Sequence, residues 1–157
     1  MEYIIDVHKI ENQNIVIKLP IKNQNNNYIN YYKLIYSNSY LNLKYLIIQL
    51  NFKNYYINSD HIYYKLIINK KDPFLTDLKK MEYTILNSLN NTLHKKIVTN
   101  LYNDLIHREY IYTFNTFPNL KQFYLKISGI WENNTEIGLV YKLYYNTSTE
   151  KLSNMIC

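Results

Sequence analysis

Four histidines, His8, His61, His94 and His107, are where metal or acid–base chemistry would be sought, and no two of them stand at metal-ligand spacing. The chain contains no HExxH, CxxC or Gly-x-Ser-x-Gly element, and two glycines in total are too few for a phosphate-cradling loop. The nearest approach to a constellation is Asp104, His107 and Glu109, which could ligate a divalent metal in a nuclease-like site. A solvated helix end, with His107 and Arg108 complementing the helix dipole, explains the same residues more simply. The single cysteine, Cys157, is the last residue, so it has no intrachain disulfide partner and no fixed environment to activate a thiolate. The expectation is a protein that is not an enzyme and uses neither metal nor cofactor.

Residues suited to binding are abundant. Eighteen Lys and Arg against twelve Asp and Glu give a net charge of +6 and a pI near 9.1, which makes polyanions the natural partners, with nucleic acid and an anionic membrane surface as the two candidates. Nineteen tyrosines invite a stacking role, but Asn, Lys, Ile and Tyr all have AT-rich codons, so the count alone says little and only placement is informative. Placement is clearest in the last third, where Gln122 to Ile130 and Ile137 to Tyr145 read as a hairpin joined through Glu132-Asn133-Asn134-Thr135-Glu136. Period-two alternation puts Phe123, Leu125 and Ile127 with Ile137, Leu139, Tyr141 and Leu143 on a core side. The opposite side then carries Tyr124, Lys126, Lys142 and Tyr144, aromatics interleaved with cations on a face expected to meet solvent. Single-strand binders use this arrangement, with rings stacking on bases and cations tracking phosphates. The stretch His61, Tyr63, Lys65 alternates in the same way, and Tyr31, Lys33 and Tyr45 extend the expected platform.

Ser128-Gly129-Ile130-Trp131 stands apart from the codon bias, because glycine occurs only twice and tryptophan once. Gly129 and Gly138 flank the hairpin connection, where a glycine marks a bulge, a bend or a close backbone approach. Trp131 is read either as a base-stacking residue or as a core anchor, and the anchor is the favoured reading.

The elements that must position these residues follow from periodicity. Tyr3 to Ile10, Ile15 to Leu19, Tyr31 to Tyr36, Tyr45 to Phe52 and Ile62 to Ile68 read as short strands separated by Asn-rich breaks, of which Asn23-Gln24-Asn25-Asn26-Asn27 is the longest. At Asp72-Pro73 the period changes: Asp72 can cap a helix with Pro73 at its first position. Phe74, Leu75, Leu78, Met81, Ile85, Leu86 and Leu89 then recur at helical spacing to about Asn90. A second helix is expected on Leu93, Ile97, Leu101 and Leu105, to about His107, after a break at Asn90-Asn91-Thr92. A strand returns at Tyr110 to Phe114. Strands, two helices and strands again predict α+β with a mostly antiparallel sheet, and a Greek-key barrel of the oligonucleotide-binding type with a helical insertion at about 72–107 suits the order. A flat sheet covered by helices is the alternative. The length, 157 residues, suits one domain over 1–157. No apolar run is long enough to span a membrane and the N-terminus carries no secretory pattern, so a soluble, cytoplasmic protein without a membrane partner is expected. The apolar helix faces could cover the barrel or join copies of the chain in a homo-oligomer; the sequence leaves both open.

Phe123-Tyr-Leu-Lys-Ile-Ser-Gly-Ile-Trp-Glu, followed by Thr135-Glu-Ile-Gly-Leu-Val-Tyr-Lys-Leu, resembles the closing segment of single-stranded DNA-binding proteins of large nucleocytoplasmic DNA viruses and the related cytoplasmic linear plasmids of yeasts. The resemblance covers only this hairpin. It implies the oligonucleotide-binding barrel of phage replication proteins and a role in coating single strands during cytoplasmic DNA replication. Many replicative single-strand binders end in an acidic tail that recruits partners, whereas this chain ends Asn146-Thr-Ser-Thr-Glu-Lys-Leu-Ser-Asn-Met-Ile-Cys157 and has no acidic cluster there. The expected function is therefore sequence-tolerant binding of single-stranded DNA, with RNA as the other candidate strand and replication proteins as further partners. The expected binding residues are Tyr124, Lys126, Lys142, Tyr144, Trp131, Tyr63, Lys65, Tyr31 and Lys33. The competing expectation is a viral or plasmid structural protein whose tyrosine-rich sheet binds another protein or itself.

Overall fold

A computed structural model describes residues 3–22, 30–53, 55–60, 63–107, 110–112, 120–147 and 152–154. Along the chain run β1 (Ile4–Ile5), β2 (Ile15–Ile17), β3 (Ile21–Lys22), β4 (Asn30–Ser37), β5 (Asn42–Leu43), β6 (Leu46–Leu50), β7 (Tyr55–Asp60) and β8 (Tyr63–Ile68). The helical insertion follows as α1 (Pro73–Leu93), β9 (Lys96–Ile97) and α2 (Asn100–His107). The chain closes with β10 (Tyr110–Tyr112), β11 (Leu120–Glu132), β12 (Glu136–Thr147) and β13 (Leu152–Asn154). The class is α+β, with a curled and mostly antiparallel sheet. No helix among the described residues is long and apolar enough to cross a membrane.

The hairpin is the spine of the larger sheet. β11 pairs with β12 along nearly its whole length, while its other edge is shared, Phe123–Ile127 taking β6 and Gly129–Glu132 taking β4. Strands β2, β3 and β5 pair on β4, and β1 runs parallel to β6. A separate three-stranded sheet has the order β10-β8-β7.

The concave side of the hairpin buries the residues that alternation assigns to it. Leu125, Ile127 and Ile137 are fully enclosed and meet Leu34, Leu46 and Ile48 from β4 and β6. Against them pack Leu75, Leu78, Ile85 and Leu86 of α1 and Leu101 and Leu105 of α2. The Asp72 carboxylate caps α1 as expected, accepting from the Phe74 N–H at 3.0 Å and from the Lys53 N–H at 2.8 Å.

The break between the helices is displaced from its expected place. Asn90, Asn91 and Thr92 lie inside α1, which ends at His94 in the left-handed conformation, φ 52°. Asn90 is the clasp of the reversal and not its breaker: its side chain accepts from the Lys95 N–H at 2.7 Å and donates to the Lys95 carbonyl at 2.8 Å. Ile97 consequently belongs to β9 and only Leu101 and Leu105 to α2. Tyr3 to Ile10 shortens in the same fashion to β1, because the Asp6 side chain accepts from the His8 N–H at 2.9 Å and opens a 3-10 turn at Val7–Lys9.

The insertion seals the free edge of β12. β9 pairs parallel to Glu136 and Ile137, the Val98 N–H donates to the Ile137 carbonyl at 2.9 Å, and Asn100 imitates the next rung. Its amide donates to the Leu139 carbonyl at 3.0 Å and accepts from the Leu139 N–H at 2.9 Å. Beyond it the Tyr141 hydroxyl donates to Asp104, and β13 takes Tyr144 to Asn146. An exposed edge that would otherwise template pairing with another chain is thereby covered.

Candidate nucleic-acid interface

The convex face of the hairpin is set by one irregularity. Strict alternation holds from Phe123 to Ile127, then the register with β12 shifts between Ile127 and Gly129, leaving Ser128 as the extra residue. From there Ile130 and Glu132 face the core and Trp131 faces outward. The core-anchor reading of Trp131 is thus corrected: the bulge moves the indole to the convex face, where it is half-buried. Both glycines are explained by the same geometry. A Cβ on Gly129 would stand 2.4 Å from the Tyr32 carbonyl oxygen and 2.5 Å from the Tyr31 ring, and one on Gly138 would stand 2.5 Å from the Trp131 indole.

Register fixes the rest of the face. Tyr31, Trp131 and Gly138 form one row, Lys33, Gly129 and Val140 the next, then Ile47, Lys126 and Lys142, and finally Gln49, Tyr124 and Tyr144. Lys33 and Lys142 are exposed, and Tyr31 and Tyr144 are half-buried. The Lys126 ammonium lies 3.7 Å from the centre of the Tyr45 ring, a cation–π contact that fixes one cation of the face. Among the described residues no carboxylate pairs with Lys33, Lys126 or Lys142.

One of the expected binding features is corrected. Tyr124 lies on the convex side but is only 5% exposed, so its ring is not offered to a base. It stands on a central strand, flanked in register by Gln49 and Tyr144, and Ile47 is buried on the same side at 3% exposure. Tyr63 and Lys65 sit on β8, which pairs with β7 and β10 in the smaller sheet; their side chains, like His61, lie outside the described residues. Of the Asp104–His107–Glu109 grouping, Asp104 accepts from the Tyr141 hydroxyl, and Glu109 lies outside the described residues. No cluster of His, Cys, Asp and Glu able to hold a metal ion occurs among the described residues.

Beneath the Trp131 end lies a polar network that alternation from the hairpin's first half does not reveal. Glu132, 5% exposed, accepts from Asn30 Nδ2 at 2.6 Å and from the Tyr32 hydroxyl at 2.7 Å, and it pairs with the Lys95 ammonium. Lys95 also donates to the Asn133 carbonyl at 2.6 Å. Burial pushes the Glu132 carboxyl up, but the hydrogen bonds from Lys95, Asn30 and Tyr32 and the Lys95 charge outweigh it and hold the group below its ordinary range. Burial, with the bond to Glu132, lifts the Tyr32 hydroxyl to about 12. This network ties the helical insertion, β4 and β11 together directly under the outward-facing Tyr31 and Trp131.

Comparison with protein-family models, with curated proteins and with solved structures finds no match to this chain.

Proposed function

We propose that this protein binds single-stranded nucleic acid, sequence-tolerantly, on the convex face of its hairpin, with single-stranded DNA during replication in the cytoplasm as the biological setting and an oligonucleotide-binding barrel as the architecture. The observation that carries the reading is the opposition of Lys126 and Lys142 in register, joined by exposed Lys33, on a face where no described carboxylate neutralises them. Like charges directly opposed on a sheet are destabilising, and a polyanion relieves that repulsion while each ammonium releases a counterion from a phosphate. Tyr31, Trp131 and Tyr144 add aromatic surface to the same face, which suits unpaired bases.

The experiment is a titration of oligo-dT of about 16 nucleotides, long enough for one barrel-sized site. At about 50 mM salt binding is expected, with log K falling against log salt at a slope of roughly −2 if Lys33, Lys126 and Lys142 each hold a phosphate. Lys126→Glu with Lys142→Glu is expected to abolish binding with the fold intact by circular dichroism. Failure of the unaltered protein to bind at that salt overturns the reading, and unchanged affinity in the double variant overturns the choice of face.

A further inference from the structure

Along β11 the larger sheet forks. β6 stays in register with β11 as far as Leu46 opposite Ile127, β4 takes over with Lys33 opposite Gly129, and the bulge residue Ser128 lies between the two. Tyr45 directly precedes Leu46 and so stands at this fork. Lys126 pairs with Ile47, which makes Tyr45 its diagonal neighbour on the same side of the sheet, at a range where a ring and a long side chain can meet. They do meet: the Lys126 ammonium lies 3.7 Å from the ring centre. Lys126 therefore leans toward the Lys33 end of the face and away from Lys142, which stands opposite it across the hairpin. The segments that meet here are free of acidic residues, with no Asp or Glu from Asn12 to Ser59, from Tyr110 to Trp131 or from Ile137 to Thr149. Glu132, the next carboxylate along β11, is buried and paired with Lys95. The Ser128 carbonyl, an acceptor that would repel an anion, accepts from the Tyr31 hydroxyl at 2.9 Å.

We propose that the fork is a phosphate site, where Lys126 and Lys33 hold neighbouring phosphates of a bound strand and Tyr45 is the positioning residue that presents Lys126 to its phosphate. The inference rests on the single-strand reading above and names the part of the ligand that the fork takes, the phosphodiester backbone. An ammonium carries three N–H donors, and one that rests on a ring still has donors directed away from it. A lysine on an open surface gives up rotamer freedom when it holds a phosphate, and Lys126 has given up part of that freedom before the strand arrives. Lys142 is exposed and makes no ring contact among the described residues, so its ordering is deferred until binding. Two opposed lysines of equal charge thus contribute unequally to affinity, Lys126 more than Lys142.

The test follows the anisotropy of a labelled oligo-dT of about 16 nucleotides over a range of salt concentrations. Tyr45→Leu is expected to weaken binding roughly 2- to 12-fold, because the ordering of Lys126 is deferred to the bound state. The slope of log K against log salt should stay as it is, because no cation is lost. Lys126→Gln is expected to weaken binding further and to flatten that slope by about 0.7, the single-strand value for one phosphate contact. Tyr45→Phe, which keeps the ring, should bind like the unaltered protein, and in a Lys126→Gln background Tyr45→Leu should have no further effect. Circular dichroism checks the fold of each variant. If Tyr45→Leu fails to fold, Lys126→Gln and Lys142→Gln decide: a greater loss of affinity from Lys126→Gln at equal change of slope supports the site, and equal losses overturn it. Unaltered or tighter binding by Tyr45→Leu overturns the inference and leaves the strand-binding reading standing. So does the same loss in the Lys126→Gln background, or a loss in Tyr45→Phe as large as in Tyr45→Leu. No binding by the unaltered protein at about 50 mM salt overturns both.

Discussion

Lys126 on β11 and Lys142 on β12 stand directly opposite each other across the hairpin, two like charges in register on one face. Their environments differ: the Lys126 ammonium rests on the Tyr45 ring, whereas Lys142 is exposed. Removing Lys142 should relieve repulsion without losing a contact, so Lys142→Gln is expected to stabilise the free protein by about 0.2–1 kcal/mol. Lys126→Gln forfeits a cation–π contact of about 0.5–1 kcal/mol and should gain little or nothing. Paired urea denaturation curves measure this. Both variants should weaken oligo-dT binding and flatten its salt slope, so that stability and affinity move in opposite directions for Lys142.

Glu82 lies wholly buried on α1 and caps α2 from a distance, accepting from the Leu101 and Tyr102 N–H groups at 2.9 Å each. Burial raises its carboxyl from 4.5 to about 7, the two backbone bonds opposing and the Asp104 charge adding to the rise. The folded state therefore holds this proton more tightly than the unfolded one. Its stabilising effect is complete below about 4.5 and is lost as pH rises through about 7. Between pH 5 and 8 stability is expected to fall by on the order of 1–3 kcal/mol from this group. Glu82→Gln should flatten that slope in denaturation curves run across the range; a slope unchanged by the substitution would refute the assignment.

The Lys95–Glu132 pair predicts the opposite sign. Glu132 is held below its ordinary range, so its contribution is present above an unfolded-state value near 4.5 and disappears as pH falls through its folded value. Lys95→Met leaves a buried carboxylate without its cation and is expected to cost about 3–5 kcal/mol at neutral pH. Acidification should recover part of the loss, since a protonated Glu132 no longer needs the partner. Thermal unfolding at pH 4 and pH 7 reads both effects.

How much of this was legible depends on the reach of each signal. The two helices, the hairpin and its core side follow from local periodicity, and Phe123, Leu125, Ile127, Leu139 and Leu143 are buried as alternation requires. Of the two readings of Trp131, the anchor does not fit the bulge: one extra residue at Ser128 exchanges the two faces beyond it, so alternation from Ile127 does not reach the indole. The glycine after Ser128 was the available signal. Tyr124 was expected to be open because alternation assigns a side but not what its neighbours cover. The contacts of Glu132 with Asn30 and Tyr32 join residues about a hundred positions apart, and no local pattern encodes them. β9 was hidden because Ile97 fits a helical stripe, and only pairing with Ile137 makes it a strand.

The two glycines give a last prediction that separates backbone from side-chain constraint. At Gly129 an added Cβ meets the Tyr32 carbonyl oxygen at 2.4 Å, and that oxygen cannot retreat without disturbing the β4–β11 ladder. At Gly138 the nearest atoms are the Trp131 indole and Asn100 Oδ1 at 2.6 Å, and both belong to side chains. Asn100 is held by its two bonds to Leu139. Gly138→Ala is therefore expected to cost about 1–3 kcal/mol and Gly129→Ala more, both measured by denaturation. A double-mutant cycle assigns the Gly138 penalty: in a Trp131→Leu background the alanine should be tolerated better, with a coupling of about 0.5–3 kcal/mol between the two sites. Additive effects would mean that Asn100, and not the indole, sets the constraint at Gly138.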